Sequence, residues 1–305
     1  MTAKTAVLLF LLSLLSISYA ENRFRFIFYH DPPFATEYDV PSFRDVYHHP
    51  YFGRNRPTVM FHYGIDQTLG SPEIIALLNA YGINGQFNYI IIHYADPSAI
   101  IPNNAVALAE GVAAALISLF NEGYNSRLMN LLGWSLGAQI MARASRRVQQ
   151  ISNRQHVIGR LTGLDPWALN VIQSNQIGIL SPDDAYWTES VHTEGNSRGD
   201  HDSRGHLAFM VNGGVEQPMC QQTLPGNRAD CSHLFALTVW TESVRTATPS
   251  FPSLQCTSWP IFLSGQCNNN QIAHIGRTGY NEGLRGIYFL QTNMFSPFSR
   301  NQAQP

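Results

Sequence analysis

Charge is what this sequence has least of. Charged residues make up 13% of the 305-residue chain, about half of what a typical globular domain carries. The formal net charge is only −2. No Lys/Arg block stands anywhere, which excludes a nucleic-acid partner held by electrostatics. Long apolar runs are also missing after the first twenty residues, so no later segment reads as a membrane span. The one early run, Ala6 to Ile17, is "AVLLFLLSLLSI", well short of the ~20 residues a bilayer span needs. It follows Lys4 and precedes Ser18-Tyr19-Ala20. That order of charge, apolar core and small residues is a secretory signal peptide, with cleavage expected after Ala20. N-x-Ser/Thr sequons, internal repeats and low-complexity tracts are absent as well.

Cysteine is scarce but even in number: Cys220, Cys231, Cys256 and Cys267. In a secreted chain an even count implies disulfides. Sequential pairing, closing two short loops, is the simplest arrangement. A zinc site needs tighter paired spacing and is the weaker reading.

What remains after residue 20 is a single domain, 21–305, with the alternation of an α/β fold. "RFRFIFYH" alternates Arg23 and Arg25 with Phe24, Phe26 and Phe28, the pattern of a strand with one wet face. A loop crowded with Pro and His is expected from Asp31 to Pro50. Buried strands are expected at "TVMFH" (58–62), "YIIIHY" (89–94), 128–132, "VIGRLTGLD" ending at Asp165, "SVHTE" and "GIYFLQTN". Between them lie helical patterns: one ending at Gly82, an alanine-rich one over 105–122, one following residue 135 to about Gln149, and "SHLFALTVWTESVR". Apolar strands alternating with helices predict a mostly parallel sheet covered on both faces. Sites in such sheets lie at the carboxyl ends of the strands. His62, Ser135 and Asp165 all fall there.

"GWSLGAQI", Gly133 to Ile140, places Ser135 where a strand should turn into a helix. A turn that sharp needs small residues two positions away on either side, which Gly133 and Gly137 supply. Ser135 would then stand at a helix N-terminus, where free N–H groups favour developing negative charge. The Leu136 N–H is one oxyanion donor. A serine nucleophile needs a base, and the base an orienting acid, in the chain order Ser, acid, His. Asp165 is the best acid, because it ends a strand that Pro166 stops. Asp183 and Asp184, in "SPDDA", read as solvated turn carboxylates. The downstream histidines are His192, His201, His206, His233 and His274. His233 is favoured, held beside Cys231 at the start of a helix. His192, at the end of a buried strand, is the rival.

Taken together these motifs resemble the pancreatic lipase family of secreted animal lipases and phospholipases A1, from about Phe26 to Ser299. "RPT" (Arg56–Thr58), "GWSLGA", "IGRLTGLDP", "DAYWTESVHTE" (Asp184–Glu194), "GHLAFMVNGGVEQPMC" (Gly205–Cys220), "CSH" (Cys231–His233) and "GIYFLQTNMFSPF" carry the likeness. The resemblance implies an α/β-hydrolase fold and a triad of Ser135, Asp165 and His233. It implies disulfides Cys220–Cys231, across the lid, and Cys256–Cys267. It puts the second oxyanion N–H on Gly64, where Tyr63 replaces the family's glycine. Trp134 stands where the family has His, and His93-Tyr94 where it has Asp-Trp. Gln176 and Ser181 replace acids of the family's calcium loop, so no metal is expected. The family's C-terminal β-sandwich is not expected within 21–305. Acyl transfer through a serine requires no cofactor.

The lid decides substrate. Ten residues, "QQTLPGNRAD", separate Cys220 from Cys231, and Leu224 is the one large apolar side chain among them. Such a segment cannot form an amphipathic cover for a greasy cleft. The second surface loop, "EGNSRGDHDSR" (194–204), is also short and charged. An open, polar-rimmed entrance suits a phospholipid ester at an interface, as in phospholipases A1 of the family. A neutral triacylglycerol lipase is the alternative enzyme. Yolk proteins of flies, which resemble the family but lack the nucleophile, supply a different class: lipid binding or storage.

Overall fold

A computed structural model describes residues 24–30, 34–94, 104–168, 177–246, 248, 250–276 and 283–305. The signal segment, 1–20, lies outside them, as does Gln176 of the expected calcium-loop position. Among the described residues eleven strands form one sheet. They are β1 (Phe24–Tyr29), β2 (Ala35–Tyr38), β3 (Thr58–His62), β4 (Asn88–Tyr94), β5 (Met129–Trp134), β6 (Arg160–Leu164), β7 (Trp187–His192), β8 (Leu207–Val211), β9 (Ser250–Gln255), β10 (Ile272–Ile275) and β11 (Gly286–Leu290). Their order is β10-β9-β11-β8-β7-β6-β5-β3-β4-β1-β2.

The run from β11 to β4 is parallel throughout. Antiparallel pairs flank it, β1 with β2 and β4 at one edge, β9 with β10 and β11 at the other. β3, β6 and β8 are buried at every position, as strands covered on both faces must be. The covering helices are α1 (Pro72–Asn84), α2 (Ala105–Asn121), α3 (Leu136–Ile151) and α4 (Arg228–Arg245); the short α5 (Trp259–Leu263) follows β9. α1 packs on α4, and α2 on α3. The two pairs take opposite faces: Thr162 and Trp240 of α4 line one small internal space, while the next strand residue, Gly163, faces Ala138 of α3. This is the α/β-hydrolase arrangement.

Three expectations are corrected. The segment 31–50 is not all loop: it contains β2 and a 3-10 helix, Phe43–His48. Phe43 and Val46 of that turn are fully buried, so its apolar residues hold it to the core despite the Pro and His around them. α1 does not end at Gly82; it runs to Asn84, and Gly85 terminates it at φ 53°, the left-handed conformation that glycine adopts without strain. Asp184 is not a solvated carboxylate. It is fully buried and receives two bonds from Arg146 Nη1 at 2.8 and 3.0 Å. A capping box with Ser181 completes its environment.

Candidate active site

β5 ends at Trp134 and α3 begins at Leu136, leaving one residue, Ser135, to make the turn. Its φ of 58° and ψ of −127° lie where L-residues rarely sit, a strained conformation that surrounding structure must impose. The flanking glycines are part of that imposition. A Cβ on Gly133 would lie 2.4 Å from Ala138 Cα, and one on Gly137 would lie 2.3 Å from the His62 carbonyl oxygen. Both are contacts between backbones, so neither can give way. The Ser135 N–H is anchored to the Leu164 carbonyl at 3.0 Å.

Three elements bring the other groups to this turn. Asp165 follows β6 at φ 41°. Its Oδ1 accepts the N–H groups of Thr193 (2.7 Å) and Glu194 (3.0 Å). Its Oδ2 lies 2.5 Å from His233 Nδ1. The other nitrogen of that ring, Nε2, is 2.8 Å from Ser135 Oγ. A carboxylate, an imidazole and a hydroxyl therefore form one continuous hydrogen-bonded chain, and all three side chains are buried. Gly199 packs against the carboxylate so closely that a Cβ there would lie 2.6 Å from Asp165 Oδ2.

His233 stands in the second turn of α4, not at its start, because the helix begins at Arg228. Trp134 holds it from below. The indole Nε1–H donates to the His233 carbonyl at 3.0 Å, and the two rings sit 4.6 Å apart. The Cys220–Cys231 disulfide is two residues away; the second, Cys256–Cys267, lies beyond β9. Sequence reasoning missed Gln217. Its buried amide donates to the carbonyls of Thr193 and Val211 and accepts from Asn212 Nδ2. Its backbone N–H donates to Ser232 Oγ at 3.1 Å. One residue, through its side chain and its backbone N–H, thus ties the strand ends beside Asp165 to the turn that carries His233. The signal that could have found it is its place in the motif Gly205–Cys220, where Gln217-Pro218 falls on the family's Gln-Pro.

Gly64 abuts the turn: a Cβ there would come within 2.6 Å of Ser135 Cβ. The Tyr63 side chain points away from the cleft and is 1% exposed. Its hydroxyl lies 3.2 Å from His93 Nδ1 and accepts from the Tyr94 N–H. Below it, His62 Nδ1–H donates to the Tyr63 carbonyl at 2.6 Å, and the Tyr94 hydroxyl bonds His62 Nε2. Burial pushes the His62 imidazole down to about 4, so it stays neutral with its proton on Nδ1. The rival base, His192, is fully buried with both nitrogens engaged, Nδ1 with the Asp200 carbonyl and Nε2 with Ser190 Oγ, each at 2.8 Å. Its burial lowers its pKa. It does not reach Ser135.

A cleft of about 180 Å³ opens over Ser135 and His233, lined also by Ile65, Trp134, Trp167 and Leu234. Leu224, in the ten-residue segment between Cys220 and Cys231, is 74% exposed and covers nothing. Among the described residues no group of three or more His, Cys, Asp or Glu could hold a metal ion. Ser181 caps a 3-10 turn. No described helix is long and apolar enough to cross a membrane.

A hydroxyl activated by an oriented imidazole, at a helix N-terminus and over an open cleft, can perform acyl transfer. The profile described as Lipase matches residues 15–298. The pancreatic triacylglycerol lipase of Ictidomys tridecemlineatus is 29% identical over 205 residues, 58% of this chain and 43% of that one. Phospholipase A1 member A of Bos taurus is 29% identical over 168 residues, 54% of this chain and 35% of that one. The chain thus spans less than half the length of these curated relatives. Among solved structures, Est1E from Butyrivibrio proteoclasticus with ferulic acid bound superposes with a TM-score of 0.38 at 11% identity, covering 63% of this chain and 88% of that one.

Proposed function

This chain belongs to the lipase family, and from that premise we propose that it hydrolyses carboxylic esters of lipids, with phospholipids cleaved as by a phospholipase A1. The observation that carries the reading is the unbroken chain from Ser135 through His233 to Asp165. His233 takes the Ser135 proton on Nε2 as Oγ attacks the ester carbonyl. Asp165 holds the ring in the Nδ1–H tautomer and stabilises the imidazolium that forms. The N–H groups of Leu136 and Gly64 receive the oxyanion. His233 then protonates the departing alkoxide, and water repeats the sequence in reverse on the acyl-enzyme.

Phospholipid is favoured over triacylglycerol by the lid. Ten mostly polar residues, ending in the first turn of α4, leave the cleft mouth open and lined by charge. The two disulfides support a secreted protein working on lipid at an interface. A storage or binding role is opposed by the presence of all three catalytic residue types at hydrogen-bonding distance.

The test is fatty-acid release by purified protein from phosphatidylcholine and from a medium-chain triglyceride, side by side, with Ser135→Ala as control. Release from the sn-1 position of the phospholipid, lost in the variant, is expected. Release from triglyceride alone would make this a short-lidded neutral lipase, and release from neither would leave the binding role.

A further inference from the structure

A loop and the first turn of a helix meet at the cleft, and an ion pair joins them. Arg198 Nη2 lies 2.6 Å from Asp230 Oδ1. Arg198 comes from the loop after β7, and Asp230 from the first turn of α4, three residues before His233. Both line the same cleft as Ser135. Among the described residues Arg198 is the one Lys or Arg in that lining, which also holds two carboxylates, Asp230 and Asp66.

The backbone under Arg198 is fixed. The Glu194 carboxylate accepts the N–H groups of Asn196, Ser197, Arg198 and Gly199. The Arg198 carbonyl accepts from the Ala168 N–H at 2.9 Å. The guanidinium is therefore the part left free to change partner. Its side chain is 42% exposed, and that of Asp230 52%. An ion pair that wet contributes little net stability and exchanges easily. A phosphodiester can take the carboxylate's place and offer the guanidinium two oxygens, a geometry its fork matches.

Resting on the phospholipid reading above, we infer that Arg198 is the specificity-determining residue that binds the head-group phosphate, with Asp230 as its resting counter-ion. The remaining charges identify the head-group class. A single cation in a lining that also holds Asp66 and Trp167 suits a zwitterion: phosphate on Arg198 in place of Asp230, ammonium toward Asp66 and the indole face. A purely anionic head group would place its second charge against Asp230 or Asp66.

The experiment compares kcat and KM on mixed micelles of dioleoyl phosphatidylcholine and of dioleoylglycerol for wild type, Arg198→Ala, Arg198→Lys and Asp230→Asn. Glycerophosphocholine is added in parallel as an inhibitor of short-chain neutral ester hydrolysis. The expected result is a fall of about ten-fold or more in the phosphatidylcholine-to-dioleoylglycerol ratio of kcat/KM for Arg198→Ala, carried mainly by KM. Arg198→Lys should recover part of it. Asp230→Asn should tighten glycerophosphocholine inhibition, and Arg198→Ala should weaken it. An unchanged ratio in Arg198→Ala overturns the inference. So does an equal fall on both substrates, which would make the pair a structural latch. Wild-type hydrolysis of dioleoylglycerol without any of phosphatidylcholine would sink the phospholipase reading itself.

Discussion

At the residue scale the turn at Ser135 is built by what cannot be placed around it. Gly137→Ala forces a Cβ against the His62 carbonyl, a clash that either moves α3 or unfolds the turn. A drop in thermal midpoint of at least several degrees is expected, with loss of activity; a wild-type melting curve would show that the backbone packing is looser than these distances. Trp134 makes a subtler case. Its bond to the His233 carbonyl is worth about 1 kcal/mol, or about five-fold in rate if it acts through the base. Trp134→Phe should lower kcat by about that factor with KM little changed, and equal movement of both would assign Trp134 to substrate binding. In the sequence the two glycines and Ser135 were legible because steric need fixes their types and spacing. Trp134 read only as a departure from the family's His, since a contact across 99 positions of sequence leaves no local trace. Tyr63 likewise stood as an obstacle at the oxyanion site, and only its burial toward His93 and Tyr94 shows where the ring goes.

Among the elements, the lid and α4 form one unit. The Cys220–Cys231 bond closes an 11-residue separation, and short closed loops of this kind stabilise by about 2–4 kcal/mol. Replacing both cysteines by serine should lower the unfolding free energy within that range and lower activity further, because the released turn lies two residues from His233. Unchanged activity in the folded variant would separate the lid from the base. The strands of the parallel core other than β8 were readable as apolar runs bounded by turns. β9 was not, because "SFPSLQ" carries Pro252 and a residue at positive φ, Phe251. β8 hid inside a longer recognisable motif, and β2 and β10 are four residues each, too short for alternation to register. The start of α4 was placed late because its first turn, "RADC", has no apolar periodicity; it is the lid's end that became helical.

For the molecule as a whole, buried imidazoles lower stability in acid. His62 and His192 are neutral and fully buried. Between about pH 6.5 and 4 the unfolded chain binds a proton on His62 that the folded chain refuses, and burial acts in the same direction on His192. Stability therefore falls as pH falls through that window and levels off below it. His62 alone accounts for roughly 3 kcal/mol of that loss at pH 4. Asp184, whose carboxyl burial raises to about 6, works in the opposite direction over part of that window, so the comparison is between proteins: from pH 7 to pH 4 the urea midpoint of the wild type should fall more steeply than that of His62→Gln, and identical slopes would remove His62 as a source. The fold class and the one-sheet architecture followed from the alternation of strands and helices, whereas the antiparallel flanks needed three-dimensional pairing to be seen. Those flanks have their own consequence. Both outermost strands, β2 and β10, offer only four residues of open backbone ladder, too brief a template for a neighbouring chain to extend. On the proposed reading, copies crowded together at a lipid surface would thus have little means of zipping sheet to sheet.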